Sequence, residues 1–307
     1  MSRNWSDLYD FAETANLLSY GFVQQALLAT ALLGILGGVL GPMVVSRQMA
    51  FAVHGTAELT FTGAAAALLL GISVNLGGLI GAIIASMIFG LLGSRVRERD
   101  SVIGVVMAFG LGLGVLFIAL YGRTGAGFNL LTGQAVTAGA QGVAAVVITT
   151  IIVVIVMAII YRPLLFASTD PRVAEARGVP MQLLSVVFAV LLGAAVAQSV
   201  QIIGALLVMS LIITPAAAAM RVSSNPTAVL GLSILFAEIA AIAGIILSLA
   251  PGLPPSVFVT SISFAIYMVC RVVGTRRSRN AGRRTTQANT DRAPAETLAK
   301  NQETAGK

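Results

Sequence analysis

Residues 50–74 read AFAVHGTAELTFTGAAAALLLGISV, an apolar run long enough to cross a bilayer and interrupted by two ionisable groups, His54 and Glu58. A helix rises 1.5 Å per residue, so about 20 residues span a hydrocarbon core of about 30 Å. His54 is the only histidine in 307 residues. It lies four positions before Glu58, which puts imidazole and carboxylate on one helix face. A charge held near the bilayer centre costs about 2.5–3.5 kcal/mol on insertion scales, so such a pair normally faces a water-filled path, an ion or each other. Nitrogen beside carboxylate oxygen suits a divalent transition metal. A His and a Glu one turn apart can also simply hydrogen-bond to each other or to a neighbouring helix.

The rest of the chain has the same character. Hydrophobic residues make up 57% of it, charged residues only 10%, and the mean hydropathy is +0.93. Such a surface cannot be kept in water, and the fold class that follows is an all-α polytopic membrane protein. Nine apolar segments of spanning length can be marked: Phe22 to Val45, Ala50 to Ile72, Leu76 to Leu92, Ser101 to Leu120, Val143 to Ile160, Met181 to Val200, Ile202 to Met220, Thr227 to Leu249 and Val257 to Val273. Only Gln201 separates the sixth from the seventh, so one of these is short, bent or incomplete and the count is eight to nine. Pro215 marks a kink or an early helix end in the seventh. Of 12 acidic residues, only Glu58 and Glu238 fall inside apolar segments. Glu238, in ILFAEIAAIAG, reads as a protonated acid bonded to a neighbouring helix, a proton acceptor or a third metal ligand.

The net charge of +7 reports topology, not a nucleic-acid partner: 9 of 19 basic residues lie from Arg271 onward. With the N-terminus outside, Arg47, Arg95, Arg97, Arg99, Arg162, Arg172, Arg177 and Arg221 all fall on the cytoplasmic side with the tail, and only Arg3 and Arg123 oppose them. The chain then divides into an extracytoplasmic segment at 1–20, a transmembrane domain at 21–274 and a disordered basic cytoplasmic tail at 275–307. An outer Gly-rich loop runs from Gly122 to Gly133. Residues 1–20 lack the basic region of a cleavable signal, so the N-terminus is expected to stay attached. The lone cysteine, Cys270, excludes an intrachain disulfide and a thiolate-rich metal site.

One loop, segment 168–180, has the grammar of a short isolated helix. Asp170 can cap the free amides, Pro171 suits the first helical position, and Gly178 suits the left-handed end. About two turns are too short to stand alone, so the segment leans on its own bundle or on a partner protein.

Together these residues resemble the membrane subunits of zinc, manganese and iron ABC importers, the ABC-3 family. The resemblance runs over about Tyr20 to Gly274. It rests on SRQMAFAVHGTAELTFTG (46–63), with His54 at the family's aspartate and Glu58 at its histidine, so the ligand types are exchanged. It rests also on DPRVAEARGVP (170–180), similar to the family's coupling segment, and on VQIIGALLVMSLIITPAAAAMR (200–221), the most specific stretch. SLAPGLPPSVFV (248–259) fits the loop before the last span. The resemblance implies a type II ABC importer-like permease in a prokaryotic plasma membrane, without a resident cofactor. It implies a homodimer embedded in lipid, a separate ATP-binding cassette subunit docking on Asp170, Arg172, Glu175, Arg177 and Gly178, and an extracytoplasmic metal-binding protein. His54 and Glu58 would then hold the travelling divalent ion, with Glu238 auxiliary. No G-x-x-x-x-G-K-[ST] phosphate loop is present, consistent with ATP binding only on a partner. The alternative is an ion-coupled secondary carrier using the intramembrane acids, which inverted repeats would favour; none is evident. A metalloprotease needs a second histidine that the chain lacks, and a chelate permease would not need the His and Glu pair.

Overall fold

The computed structural model describes residues 11–91, 96–122, 139–249, 251 and 253–276. The Gly-rich loop beyond Gly122, with Arg123, and most of the basic tail lie outside the described residues. So do the first ten positions. Every element described is a helix: α1 (Phe11–Leu18), α2 (Gly21–Ser46), α3 (Ala50–Leu70), α4 (Val74–Leu91), α5 (Val96–Tyr121), α6 (Gly139–Thr169), α7 (Pro171–Ala176), α8 (Met181–Ile203), α9 (Ala205–Val222), α10 (Pro226–Leu249) and α11 (Pro255–Arg276). Among the described residues eight helices are long and apolar enough to cross a membrane, and α9 is a shorter apolar helix.

Small residues decide which helices touch and in which direction. Along α2, a Cβ on Gly34 would meet Glu238 of α10 and one on Gly38 would meet the Ile234 backbone, so the two helices run antiparallel. Gly37 and Gly41 face the backbone of Leu211 and Ile212 on α9, in parallel sense. Gly63 of α3 meets Gly77 and Gly81 of α4, and Gly193 of α8 meets Ser86 and Ala82 of α4. In a bilayer there is no hydrophobic force between spans, and close backbone approach through small residues supplies the dispersion contact instead. The pairing senses make α9 run parallel to α2, so it reverses the chain as a crossing does, despite its length. They also bring the ends of α2, α9 and α11 to one end of the bundle, where Gly274 packs on the Arg221 carbonyl.

Four expectations need correction. The break between the sixth and seventh segments is at Gly204, not Gln201: α8 runs on to Ile203, and Gly204 takes φ 88 and ψ 157, a conformation open essentially to glycine alone. Hydropathy registers a polar Gln but carries no trace of that dihedral. Of the two readings of Pro215, a kink or an early helix end, the early end is overturned, since α9 is helical to Val222. A proline four residues on leaves the Leu211 carbonyl without its helical donor, and that oxygen faces Gly37, where a Cβ would stand only 2.7 Å away. The bare Cα of α2 can thus contact the orphaned carbonyl through a weak C–H···O interaction. Finally, the sequence suggests a cytoplasmic loop from Arg162 to Pro180, but its first part, to Thr169, is helix. Helix α6 continues through Pro163 to Thr169, 31 residues in all, because Leu164 and Ala167 are buried in the bundle. Likewise Thr275 and Arg276 belong to the last turn of α11 and not to the tail.

The short α7 forms as its local sequence dictates. Asp170 Oδ1 accepts from the Val173 amide at 3.1 Å, and Pro171 occupies the first turn. At the other end Gly178 adopts φ 78, with its amide donating to Glu175 O and the Val179 amide to Ala174 O, the paired bonds of a Schellman end. Ala174 is fully buried and Val179 packs on the core, so the six-residue helix leans on its own bundle, against α6.

Candidate metal path

Helix α3 carries the two ionisable groups into the bundle interior. It begins at Ala50, so His54 and Glu58 sit about 6 and 12 Å along its axis. The flanking stripe of the same helix is pressed on α5: a Cβ at Gly55 would meet Ile103, Gly110 faces Leu59, and Phe51 lies over Gly104. Thr62, one turn past Glu58, donates to the Gly110 carbonyl at 2.7 Å and shares its hydroxyl with the Glu58 carbonyl at 3.1 Å. The opposite stripe, Thr60, Gly63 and Ala67, packs on α4. Thr60 satisfies itself on the Thr56 carbonyl, 2.7 Å away. Helix α3 is therefore clamped on two sides, and the backbone that bears Glu58 is tied to α5.

Three buried side-chain atoms of α3 have no hydrogen-bond partner: His54 Nδ1, Thr56 Oγ1 and Glu58 Oε2. Glu58 is 8% exposed and His54 is half-buried. A buried polar atom without a partner costs about 1–3 kcal/mol, more when charged, so natural interiors keep few of them. Two on one helix face, both of metal-ligand type, are the arrangement a transient cation would satisfy. Among the described residues no three His, Cys, Asp or Glu side chains come together as a metal cluster.

Glu238 lies elsewhere. It sits at the middle of α10 and packs on Gly34 at the middle of α2, where a Cβ would come within 2.6 Å of Glu238 Oε1. That oxygen too is buried without a hydrogen-bond partner, as are the hydroxyls of Thr30 and Ser233 on the same two helices. The five residues read as a docking surface, Asp170, Arg172, Glu175, Arg177 and Gly178, are gathered by α7 and its two caps at one end of the bundle. All five are exposed. Sequence reading gave Arg47 only a topological role. In the folded chain its guanidinium donates to Ser185 Oγ at 2.8 Å, a contact between residues 138 apart that no local pattern announces.

A bundle of apolar helices, glycine-packed, eight of them among the described residues long enough to cross a bilayer, defines a multi-pass helical membrane protein. Residues 19–274 match the ABC 3 transport family, and the chain belongs to that family. It is similar to the manganese transport system membrane protein MntC of Halalkalibacterium halodurans, 32% identical over 237 residues, which cover 76% of this chain and 80% of that one. The manganese import system permease protein ScaB of Streptococcus parasanguinis is 24% identical, over 86% of this chain and 95% of its own. Among solved structures, PsaBC from Streptococcus pneumoniae in complex with Fab matches with a TM-score of 0.76 at 22% identity, covering 84% of this chain and 94% of that chain.

Proposed function

We propose that this chain is the permease subunit of an ATP-driven importer of a divalent transition-metal ion, manganese or zinc, with iron a further candidate. At the coarser level of a metal ABC importer permease, the reading is carried by family membership and by relatives named as manganese permeases. The finer reading rests on one observation, the buried and unpartnered His54 Nδ1 and Glu58 Oε2. In this reading a separate ATP-binding subunit engages α7, an extracytoplasmic binding protein delivers the ion, and two copies of the chain line the path. His54 gives a neutral nitrogen and Glu58 a charged oxygen. Together they replace part of the ion's water shell without enclosing it, so the ion can leave. Imidazole and carboxylate suit manganese and zinc alike, so the donor set does not rank them.

The test is uptake of radioactive manganese, zinc and iron into vesicles holding the chain with its ATP-binding subunit. Uptake that requires ATP and is lost in both His54→Ala and Glu58→Ala supports the assignment. Undiminished uptake by both variants removes the ligand role, and uptake that needs an ion gradient but no ATP replaces the pump with a secondary carrier.

A further inference from the structure

The metal pair and α7 lie on different helices, so a motor acting on α7 needs a mechanical route to α3. The chain after α7 passes through Val179 and Pro180 straight into α8, which starts at Met181. One turn into α8 is Ser185 and one turn further is Phe188, fully buried. Both are held by one side chain from another helix. Arg47 Nη2 donates to Ser185 Oγ at 2.8 Å, and the Arg47 guanidinium carbon stands 5.7 Å from the Phe188 ring centroid, within reach of a cation–π contact.

The backbone of Arg47 is fixed as tightly as its side chain. Arg47 caps α2, Gln48 takes φ 54, the Gln48 amide donates to Val45 O at 3.1 Å and the Met49 amide to Val44 O at 2.8 Å. This is the Schellman end that usually needs glycine at the left-handed position; here a glutamine holds it, the one positive-φ residue other than glycine among the described residues. Met49, 4% exposed, is locked in the core, and α3 starts at the next residue. His54 follows in the first turns of α3. Chain and contacts therefore form a continuous link: α7, the start of α8, Arg47, the rigid α2–α3 turn, then His54 and Glu58.

We propose that Arg47 is a positioning residue that transmits displacement of α7 to the metal-bearing helix, through Ser185 and Phe188. The inference rests on the permease reading above. Arginine suits the task, since its planar guanidinium can bond a hydroxyl at its edge while covering a ring with its face; the compact lysine ammonium has no planar fork that does both at once.

The experiment uses the full complex with its ATP-binding subunit in proteoliposomes, with manganese as the probe, and reads ATP hydrolysis and metal uptake in the same vesicles. Arg47→Ala should lower manganese moved per ATP by about tenfold, the scale of a coupling energy between sites, while hydrolysis continues. Ser185→Ala should lower it by about threefold, as for one hydrogen bond. The double variant should be no worse than Arg47→Ala, since both side chains act in one link. Arg47→Lys, which keeps the charge that orients the helix, should recover part of the loss. The proposal is overturned if uptake and hydrolysis fall at a constant ratio, if the two losses multiply independently, or if the ratio does not change. If Arg47→Ala fails to assemble, Ser185→Ala and Arg47→Lys decide by the same ratio. Wild-type vesicles that take up no metal would sink the permease reading itself, and this inference with it; wild-type uptake with unchanged variants sinks the inference alone.

Discussion

Replacing Glu58 with glutamine separates a ligand from a structural carboxylate, because the two roles predict opposite signs for stability. Glu58 is 8% exposed and its Oε2 bonds to nothing, so Glu58→Gln breaks no hydrogen bond at that atom and opens no cavity. An unpaired buried polar group costs about 1–3 kcal/mol, and a charged one more. The metal-free variant should therefore be as stable as wild type, or more stable by up to that amount. Ordinary core substitutions go the other way. Metal binding should suffer instead. Loss of an outer-shell partner to a metal ligand already costs about 10–100-fold in affinity, so loss of a direct ligand should cost about 100-fold or more, some 2.7 kcal/mol at 1.36 kcal/mol per decade. Thermal unfolding of the purified protein, with chelator and then with manganese at about 100 times the wild-type Kd, reads both signs. Wild type should gain about 2.7 kcal/mol from the ion; the variant, with its Kd raised about 100-fold, should gain only about 0.4 kcal/mol by the same relation. A variant that melts below wild type in chelator would make the carboxylate structural. One that keeps the full manganese-induced rise would end the case for Glu58 as a ligand.

Gly204→Ala forces a side chain into φ 88 and ψ 157 and should destabilise the protein by about 1–3 kcal/mol, measured by thermal unfolding. Asp170→Ala removes the α7 cap at a cost of about 0.5–2 kcal/mol, which a six-residue helix cannot absorb. Its amides should exchange hydrogen faster and ATP hydrolysis should uncouple from uptake, while Asp170→Asn should restore both. Glu238→Gln should leave the manganese KM within about twofold of wild type, the change for an uninvolved group, because Glu238 packs on Gly34 and among the described residues forms no cluster with His54 and Glu58; a KM rise matching that of Glu58→Gln would make it a ligand.

What sequence reveals here depends on the range of the physics involved. The α7 signals are complete within eleven residues, Asp170 to Pro180, and each took its place: carboxylate on an amide, proline in the first turn, glycine left-handed. The i, i+4 relation of His54 to Glu58 is equally local. Hydropathy located the crossings because lipid acts on a window of residues, but it misplaced the α8–α9 break, a matter of one dihedral, and it ended α6 at Ile160. There Arg162 and Pro163 end the apolar pattern, yet packing of Leu164 and Ala167 sustains the helix. Pairings between distant helices left no such trace. Nothing in ILFAEIAAIAG announces that Glu238 meets Gly34, and nothing in SRQMA announces Ser185.

The shortage of ligands in one chain bears on how the proposed dimer would work. Transition metals take four or more donors, and among the described residues no three His, Cys, Asp or Glu side chains come together. The remainder must come from water, from a partner protein or from the same pair on a second copy. These can be told apart by assembling wild-type chains with an equal amount of a His54→Ala, Glu58→Gln double variant at fixed total protein. If each subunit carries its own site, uptake should fall to about one half. If a two-fold symmetric site needs both pairs, only dimers of two intact chains conduct, and random pairing leaves about one quarter. A separate count of assembled dimers by tagged pull-down keeps unequal pairing from imitating either value. An outcome of one half would rule out the shared site and leave water or the delivering protein to complete the shell, whereas one quarter would make the symmetry axis the path of the ion.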